Sequence, residues 1–349
     1  MSTALWPDAI GRLIRREELP VELVEQAMVA ILTGEATDAQ IAGFAVALRA
    51  KGETPAELAA LVRTMVLHAE RVDVSDVDGP LIDTCGTGGD RAGTVNVSTM
   101  AALVAAGAGA RVAKHGGRSA SSRCGSADVL EALGVVIDLG PEGVARSVRE
   151  AGIGFCFGPR FHAGLRFAAP ARRELGTPTT FNFVAPLANP ASVKRQIVGV
   201  SDSTMAERLV ATLAELGSER ALVFYGHDGL DELTVTTTST VHELRDGSVT
   251  VYDVDPVDLG IPRAEHSALA GGDASGNAEV VHQIFAGASG PIRDIVVLNA
   301  AAALLVADLV SDLAGGVELA GAILDDGRAA ATLDAMVRVT VAARASGDA

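Results

Sequence analysis

The sequence predicts an α/β protein with a small N-terminal all-helical domain and a larger domain that has a mostly parallel β-sheet flanked by helices. The chain has 349 residues, enough for two structural units at roughly 150 residues each. Apolar residues follow only helical spacing through about the first 70 positions. Short apolar runs then alternate with alanine-rich stretches, which is typical of a parallel sheet covered on both faces.

The helical domain is predicted to span residues 1–72. Apolar positions recur at helical spacing in three segments, residues 20–33, 38–49 and 55–69. Thr37 or Asp38 can cap the second of these helices. Thr54 can cap the third, with Pro55 at its first helical position.

The α/β domain is predicted to span residues 78–349, after a linking segment at 72–79 rich in acidic and small residues. Strands are expected at five short apolar runs, residues 81–85, 135–139, 153–157, 196–200 and 221–225. Residues 239–244 and 248–254 alternate around Arg245-Asp246-Gly247 and predict an antiparallel hairpin. Residues 298–313 predict a long buried helix.

Composition and charge exclude several classes of protein. With 28 basic and 44 acidic residues, the net charge of −16 repels a nucleic-acid backbone, and 3% aromatic residues leave little for base stacking. The first 15 residues lack the pattern of a signal peptide, and the most apolar segment is shorter than the roughly 20 residues of a membrane span. The three cysteines, Cys85, Cys124 and Cys156, include no CxxC pair. These features predict a cytoplasmic globular protein.

A glycine-rich loop follows the first predicted strand, in the sequence Gly86-Thr-Gly-Gly-Asp90. Glycines let successive N–H groups point into one concavity. The run Thr94-Val-Asn-Val-Ser-Thr99 leads into a helix predicted at residues 100–108, and this helix start adds free N–H donors and the hydroxyls of Ser98 and Thr99. The pattern predicts a phosphate or pyrophosphate site. It matches neither a Walker loop nor a dinucleotide fingerprint. A purely structural turn is the alternative, with Asp90 as its cap rather than a partner for a cation or a sugar diol.

A second loop is basic and rich in hydroxyls. Residues 112–126 contain Lys114, Arg118 and Arg123 among four serines and three glycines. In an acidic chain such a stretch predicts anion binding, because Arg and Lys form charge-assisted hydrogen bonds with phosphate. A solvated surface loop is the alternative.

Two adjacent carboxylates, Asp231 and Glu232, follow the strand predicted at 221–225. Open α/β sheets bind ligands at the carboxyl ends of their strands, and Mg²⁺ commonly bridges carboxylates to substrate phosphates. Together with the two loops, the pair predicts a Mg²⁺ site. No nucleophile triad is present, and no residue is assigned as a general acid, general base or nucleophile.

These motifs, in order and spacing, resemble the anthranilate phosphoribosyltransferase family, of the nucleoside phosphorylase-like class of phosphoribosyltransferases. The likeness covers about residues 11–341. The matching runs are Gly86-Thr-Gly-Gly-Asp90, Asn96-Val-Ser-Thr99, Lys114-His-Gly-Gly-Arg-Ser119, Gly125-Ser-Ala-Asp-Val-Leu-Glu-Ala-Leu-Gly134, Arg172-Arg-Glu-Leu-Gly176 and Asp228-Gly-Leu-Asp-Glu232.

The resemblance implies transfer of the phosphoribosyl group of 5-phosphoribosyl 1-pyrophosphate to anthranilate in tryptophan biosynthesis, with release of pyrophosphate. It implies a homodimer, two Mg²⁺ ions per active site and a helical part at about 168–195 that joins the N-terminal helices. The implied metal ligands are Ser98, Asp231 and Glu232. The implied anthranilate contacts are Gly86, Gly117 and Arg172. The implied contacts with phosphoribosyl pyrophosphate are Gly86, Gly89, Asp90, Thr94, Asn96, Val97, Ser98, Thr99, Lys114, His115, Gly116, Gly117, Arg118, Ser119, Ala120, Ser121, Ser122 and Ser126.

The sequence departs from the family pattern around the acceptor. The family usually has Asn at the position of Gly117, Pro at Ala163, Gly at Ala185 and His at Tyr225. These departures leave open a paralogous enzyme with another aromatic amine as acceptor. A pyrimidine nucleoside phosphorylase-like enzyme is a further alternative, as is a catalytically idle nucleotide-sensing or scaffold protein.

Overall fold

The N-terminal part of the chain is a bundle of four helices. The computed structural model describes residues 5–90, 92–119 and 123–347. The four helices are α1 (Leu5–Ile14), α2 (Val21–Leu32), α3 (Asp38–Lys51) and α4 (Pro55–Leu67). Thr37 and Thr54 each form a reciprocal capping box at the start of α3 and α4, with Pro55 in the first turn of α4, so the predicted caps are confirmed.

The remainder of the chain is built on one seven-stranded sheet, with strand order β3-β2-β1-β4-β5-β6-β7. The first five strands pair in parallel, and β6 and β7 form the predicted antiparallel hairpin. The strands are β1 (Leu81–Gly86), β2 (Arg111–Gly116), β3 (Ile153–Phe157), β4 (Arg195–Gly199), β5 (Arg220–Gly226), β6 (Ser239–Arg245) and β7 (Ser248–Val254).

Helices cover both faces of the sheet. Along β5, Leu222 and Phe224 are buried under α5 and α12–α15, whereas Ala221 and Val223 are buried under the N-terminal bundle and α11. This alternation confirms the predicted fold class. The helices are α5 (Val97–Gly107), α6 (Ser126–Ala132), α7 (Pro141–Ala151), α8 (Gly158–Phe161), α9 (Ala169–Leu175), α10 (Thr180–Val184), α11 (Ser203–Glu215), α12 (Ala274–Phe285), α13 (Pro291–Val306), α14 (Leu313–Asp325) and α15 (Arg328–Ser346).

Three predicted elements are corrected. The four apolar residues of 135–139 are buried, but the segment forms no strand, because Val136 N–H donates to Thr340 Oγ1 of α15 instead of entering the sheet (3.2 Å). Residues 112–116 of the predicted basic loop belong instead to β2, whose apolar run is interrupted by Lys114 and His115. The long apolar helix is α13, which starts earlier, at Pro291, and ends at Val306 ahead of the left-handed Asp308 (φ 55°).

The segment around α9 and α10 packs with the N-terminal bundle. Phe181 and Phe183 of α10 share a buried cluster with Phe44 of α3 and Leu61 of α4. The domain limits 1–72 and 78–349, with the helical part at about 168–195, stay a prediction. Among the described residues, no helix is long and apolar enough to cross a membrane.

Candidate functional site

The candidate site lies at the carboxyl ends of β1, β4 and β5. The chain leaves β1 toward β2 and β3 on one side and returns as β4 on the other, which makes the β1–β4 edge the switch point of the sheet. Ligands of open α/β sheets bind at such points. The glycine loop follows β1, and the acidic pair follows β5, so both predicted motifs meet at this edge.

Each of the three central strands ends in a glycine, and each glycine leaves room for an aspartate of the segment after β5. A Cβ on Gly86 would lie 2.5 Å from Asp231 Oδ2, and one on Gly199 would lie 1.7 Å from the Asp231 carbonyl oxygen. A Cβ on Gly226 would lie 2.3 Å from Asp228 Oδ1. A side chain at Gly86, Gly199 or Gly226 would therefore displace the acidic segment.

The glycine loop is held by groups from two neighbouring strands. Gly88 and Gly89 adopt left-handed conformations (φ 65° and 88°), which favour glycine. The Gly88 N–H donates to Asp231 Oδ2 (2.8 Å), and Ser201 Oγ, just beyond β4, donates to the Gly88 carbonyl (3.1 Å). Asp90 accepts from Ala92 N–H (3.2 Å) and its carboxylate lies close to Asp231.

The acidic pair points at the two predicted phosphate elements. While Asp231 contacts the glycine loop, Glu232 Oε1 accepts from the Ser98 N–H in the first turn of α5 (3.2 Å). Burial, and next the charge of Asp90, raise the pKa of Asp231 to about 7. Burial and the charge of Asp231 raise the pKa of Glu232 well above its usual range. The site thus concentrates negative charge that a cation would stabilise.

Lys114 is buried at the same place, with 2% of its surface exposed. Its ammonium donates to the Thr84 carbonyl and to Ser98 Oγ (3.3 Å). Burial lowers the pKa of Lys114, while the charges of Asp83 and Glu232 oppose that shift. Lys114 therefore places its amino group between β1, α5 and the acidic pair.

The His115 side chain is buried next to the site and carries no charge. Burial, and next the neighbouring His162 ring 5.2 Å away, lower the pKa of His115 to about 3, so the ring is neutral. Its backbone N–H donates to Asp83 Oδ1 (2.9 Å), and Asn189 Nδ2 donates to Asp83 Oδ2 (2.8 Å). Sequence reasoning missed the roles of Asp83 and Asn189; a carboxylate inside the apolar run 81–85 was the available signal.

The basic loop is organised by α6. Arg118 pairs with Asp128 (2.8 Å) and Glu131 (2.9 Å), so its charge is balanced by that helix. Ser119 N–H donates to Asp128 Oδ2 (3.2 Å), and Ser126 Oγ donates to the Gly117 carbonyl (3.3 Å). A Cβ on Gly116 would lie 2.3 Å from Ser126 Oγ. The predicted contacts Ala120, Ser121 and Ser122 lie outside the described residues.

The start of α5 is tied to other elements. Asn96 Nδ2 donates to the Cys124 carbonyl (3.2 Å), and Asn277 of α12, which the sequence reasoning missed, donates to Asn96 Oδ1 (2.8 Å). Thr94 pairs with Ala270 in an isolated β-bridge. Two further predicted contacts, Val97 and Thr99, also lie at the start of α5. The side chain of Val97 belongs to the core, and Thr99 Oγ1 is buried with no hydrogen-bond partner among the described residues.

Arg172 lies apart from the two loops, on α9. It is half-buried, its guanidinium contacts the Phe181 ring (5.8 Å), and Nη2 donates to Asn182 Oδ1 (3.4 Å). Burial lowers the pKa of Arg172. Among the described residues no carboxylate pairs with it, so Arg172 is a cation beside an aromatic ring that can accept an anionic aromatic ligand.

Two family models match the chain, one for each part of the fold. The helical bundle domain of the glycosyl transferase family matches residues 7–69, and the a/b domain of the same family matches residues 78–330.

Curated relatives and solved structures narrow the family. The chain is 51% identical to an anthranilate phosphoribosyltransferase of Salinispora arenicola over 99% of both chains, and 53% identical to one of Nocardioides sp. over 97% of this chain and 99% of the relative. The Thermus thermophilus enzyme of that name has a structure with TM-score 0.90 and 40% identity, over 95% of this chain and 99% of the other. The Saccharomyces cerevisiae enzyme in complex with PRPP and Mg has TM-score 0.89 and 25% identity, over 98% and 99%. The chain therefore belongs to the anthranilate phosphoribosyltransferase family of glycosyl transferases.

Proposed function

We propose that the protein transfers the phosphoribosyl group of 5-phosphoribosyl 1-pyrophosphate to anthranilate, with release of pyrophosphate. The observation that carries this proposal is the contact of the acidic pair with both phosphate elements: Asp231 with the Gly88 N–H and Glu232 with the Ser98 N–H. A carboxylate pair on top of two anion-binding elements needs a cation, and Mg²⁺ bound to a pyrophosphate supplies one.

The donor is assigned to the glycine loop, the start of α5 and the basic loop. Glycine N–H groups and a helix N-terminus suit phosphate oxygens, and Lys114 adds a fixed positive charge. Asp128 and Glu131 of α6 pair with the Arg118 guanidinium, so this side chain would have to leave them to contact phosphate. We therefore assign the donor contact of Arg118 to its backbone rather than to its side chain. The proposed donor contacts are Gly86, Gly89, Asp90, Thr94, Asn96, Val97, Ser98, Thr99, Lys114, His115, Gly116, Gly117, Arg118, Ser119, Ala120, Ser121, Ser122 and Ser126.

Asp231, Glu232 and Ser98 fit Mg²⁺. Their oxygens are hard ligands, and burial, followed by the charge of neighbouring carboxylates, raises the pKa of both Asp231 and Glu232, which a bound cation would counteract. Within the described ranges no three Asp, Glu, His or Cys side chains form a metal site of their own. This suits Mg²⁺, which takes one or two carboxylates and fills its coordination with substrate phosphates and water. We propose two ions per site. Flame or plasma emission analysis of the protein equilibrated with Mg²⁺ and the donor would measure this number, and one ion would contradict it.

The chemistry is a substitution at C1 of the ribose. The anthranilate nitrogen forms a bond to C1 while the bond from C1 to the pyrophosphate oxygen breaks, and the nitrogen then loses a proton to solvent. Ser98, Asp231 and Glu232 would hold Mg²⁺, which would supply positive charge against the charge that develops on pyrophosphate. The chain's own residues hold the donor and acceptor in line and provide fixed charges, so no side chain is required as a strong base.

Steady-state turnover tests the function. Purified protein, phosphoribosyl pyrophosphate, Mg²⁺ and anthranilate should show loss of anthranilate fluorescence with equimolar release of pyrophosphate, and chelation of Mg²⁺ should stop both. Binding of the donor without turnover of anthranilate would favour a paralogue with another aromatic amine. Cleavage of pyrimidine nucleosides by phosphate would contradict the proposal, and failure to bind the donor at all would indicate an idle or sensing protein.

We assign the anthranilate carboxylate to Arg172. Loss of a charge-assisted hydrogen bond to a half-buried guanidinium should raise the KM for anthranilate about 10- to 100-fold in Arg172→Gln. The KM for phosphoribosyl pyrophosphate should change less than twofold, because Arg172 contacts neither phosphate loop. Arg166→Gln, which removes an exposed guanidinium stacked on Phe167, is the control (4.4 Å). An unchanged KM for anthranilate in the Arg172 variant would contradict the assignment of the anthranilate carboxylate to Arg172.

Gly117 is assigned to the acceptor, as is Gly86. A Cβ on Gly117 would meet no atom of the described residues within 4 Å, and the Gly117 backbone is outside the left-handed region, so Asn is compatible with this backbone. Gly117→Asn should add one hydrogen bond and lower the KM for anthranilate about 2- to 10-fold. Gly117→Ala, which fills the space without a donor, is the matched control. Equal KM values for Gly117→Asn and Gly117→Ala would count against an acceptor contact.

We also propose a homodimer through the helical bundle and a cytoplasmic location. Ile14, Val46 and Leu67 expose apolar side chains on α1, α3 and α4. The three cysteines form no disulfide within the described part of the chain, and such chemistry suits a reducing compartment. Light scattering after size exclusion should give twice the chain mass of 35.6 kDa, and a monomer at micromolar concentration would contradict the dimer. Cell fractionation tests the location, and a membrane or secreted fraction would contradict it.

A further inference from the structure

The helix α13 contains one buried polar side chain in an apolar sequence. From Ile295 to Val306 all of its residues are buried, and Asn299 is 0% exposed. An amide buried among apolar side chains loses its hydrogen bonds to water and is stable there only when the protein replaces them. Asn also favours helix formation less than the Leu and Ala residues around it.

Asn299 replaces those hydrogen bonds with backbone groups, two of which belong to one residue, Leu233. The Leu233 N–H donates to Asn299 Oδ1 (3.0 Å), and Asn299 Nδ2 donates to the Leu233 carbonyl (2.8 Å). The second amide hydrogen goes to the Ile295 carbonyl within α13 (2.9 Å). One side chain thus satisfies both polar backbone groups of Leu233 and leaves none of its own amide hydrogens unused.

Leu233 directly follows the acidic pair, in a segment without strand or helix. Residues 227–238 lie between β5 and β6 and form no strand. Backbone bonds hold the segment at its ends, from His227 N–H to the Thr238 carbonyl (3.0 Å), and at Val235, whose carbonyl accepts from Ala264 N–H (3.0 Å); side-chain contacts hold the part around the acidic pair. On one flank Asp228 accepts from Leu230 N–H (3.2 Å) and from Thr234 Oγ1 (2.7 Å). On the other side, Asn299 fixes the backbone one residue beyond Glu232.

We propose that Asn299 is a positioning residue for the metal-binding carboxylates. By fixing both backbone groups of Leu233 it sets the direction in which Asp231 and Glu232 face Gly88 and Ser98. Asn299 touches no proposed substrate atom. The inference rests on the proposed function for the metal and the donor. The pair of hydrogen bonds between Asn299 and the Leu233 backbone, here called the clamp, is a property of the folded chain.

The test compares Asn299→Leu, which keeps the volume and removes all three side-chain hydrogen bonds, with Leu298→Ala, which removes packing from the adjacent fully buried residue. Calorimetry of phosphoribosyl pyrophosphate binding at varied Mg²⁺ should give a half-saturating Mg²⁺ concentration about tenfold higher in Asn299→Leu. Leu298→Ala should lower Tm but move that concentration less than twofold. The KM for anthranilate should stay within twofold in both variants.

Hydrogen exchange of the metal-free protein tests the hydrogen bonds between Asn299 and Leu233 without any ligand. The amide of Leu233 should exchange at least tenfold faster in Asn299→Ala, a smaller variant to use if Asn299→Leu does not fold, and should stay protected in Leu298→Ala. Unchanged exchange at Leu233, or an equal Mg²⁺ shift in both variants, would overturn the proposal. Absence of donor binding in the wild-type protein would instead refute the proposed function, while the exchange result still decides the clamp.

Discussion

Asp231→Asn should lower kcat/KM for phosphoribosyl pyrophosphate about 10²- to 10³-fold, the cost typical of removing one fixed charge-stabilising group from an active site. The amide has the size of the carboxylate and can still accept from the Gly88 N–H, so the geometry of the glycine loop is kept. What is lost is the negative charge that Mg²⁺ needs. Kinetics at varied Mg²⁺ should show the loss mainly as a higher metal requirement.

A stability measurement separates this effect from misfolding. Asp231 is half-buried beside Asp90, and its raised pKa means that the charged form is disfavoured by the ligand-free fold. The neutral Asn should therefore leave Tm unchanged or higher at pH 8, above the raised pKa. Asp138→Asn, an exposed surface carboxylate paired with Arg344, is the control for both measurements. Full activity of Asp231→Asn at limiting Mg²⁺ would remove Asp231 from the proposed metal ligands.

Short stretches of sequence were enough to predict those parts of the fold and of the site that are built from neighbouring residues. The capping residues Thr37 and Thr54, the hairpin turn and the glycine loop each depend on a few consecutive residues, and the structure has them where the sequence predicted. The placement of the glycine loop and the acidic pair at one edge also followed, because the carboxyl ends of parallel strands meet there.

Long-range contacts explain what the sequence could not predict. Residues 135–139 have the composition of a strand, but α15, about 200 residues later, takes the hydrogen bond that a strand partner would have taken. Asn189 and Asn277 act through Asp83 and Asn96, which are far away in the chain. The need for glycine at 199 is visible only when the acidic segment lies on the end of β4.

Gly199→Ala should be the most damaging of the glycine substitutions at the strand ends. Its Cβ would lie 1.7 Å from the Asp231 carbonyl oxygen and 2.5 Å from the carbonyl carbon, which are backbone atoms that cannot rotate away. The acidic segment must therefore shift by an ångström or more, and a displacement of that size costs about 10²-fold in rate. We expect at least that loss in kcat/KM, with a lower Tm.

Gly321→Ala is the matched control for this change. Gly321 lies within α14, where a Cβ would meet only Arg293 Nη2 at 4.0 Å, and alanine favours helix formation. It should keep full activity with an equal or higher Tm. To distinguish displacement from general destabilisation, Gly199→Ala is assayed well below its own Tm at saturating Mg²⁺. Wild-type kcat/KM under those conditions would show that the carboxylates tolerate a shifted backbone, and that the close contact of Gly199 with Asp231 does not set the geometry of the site.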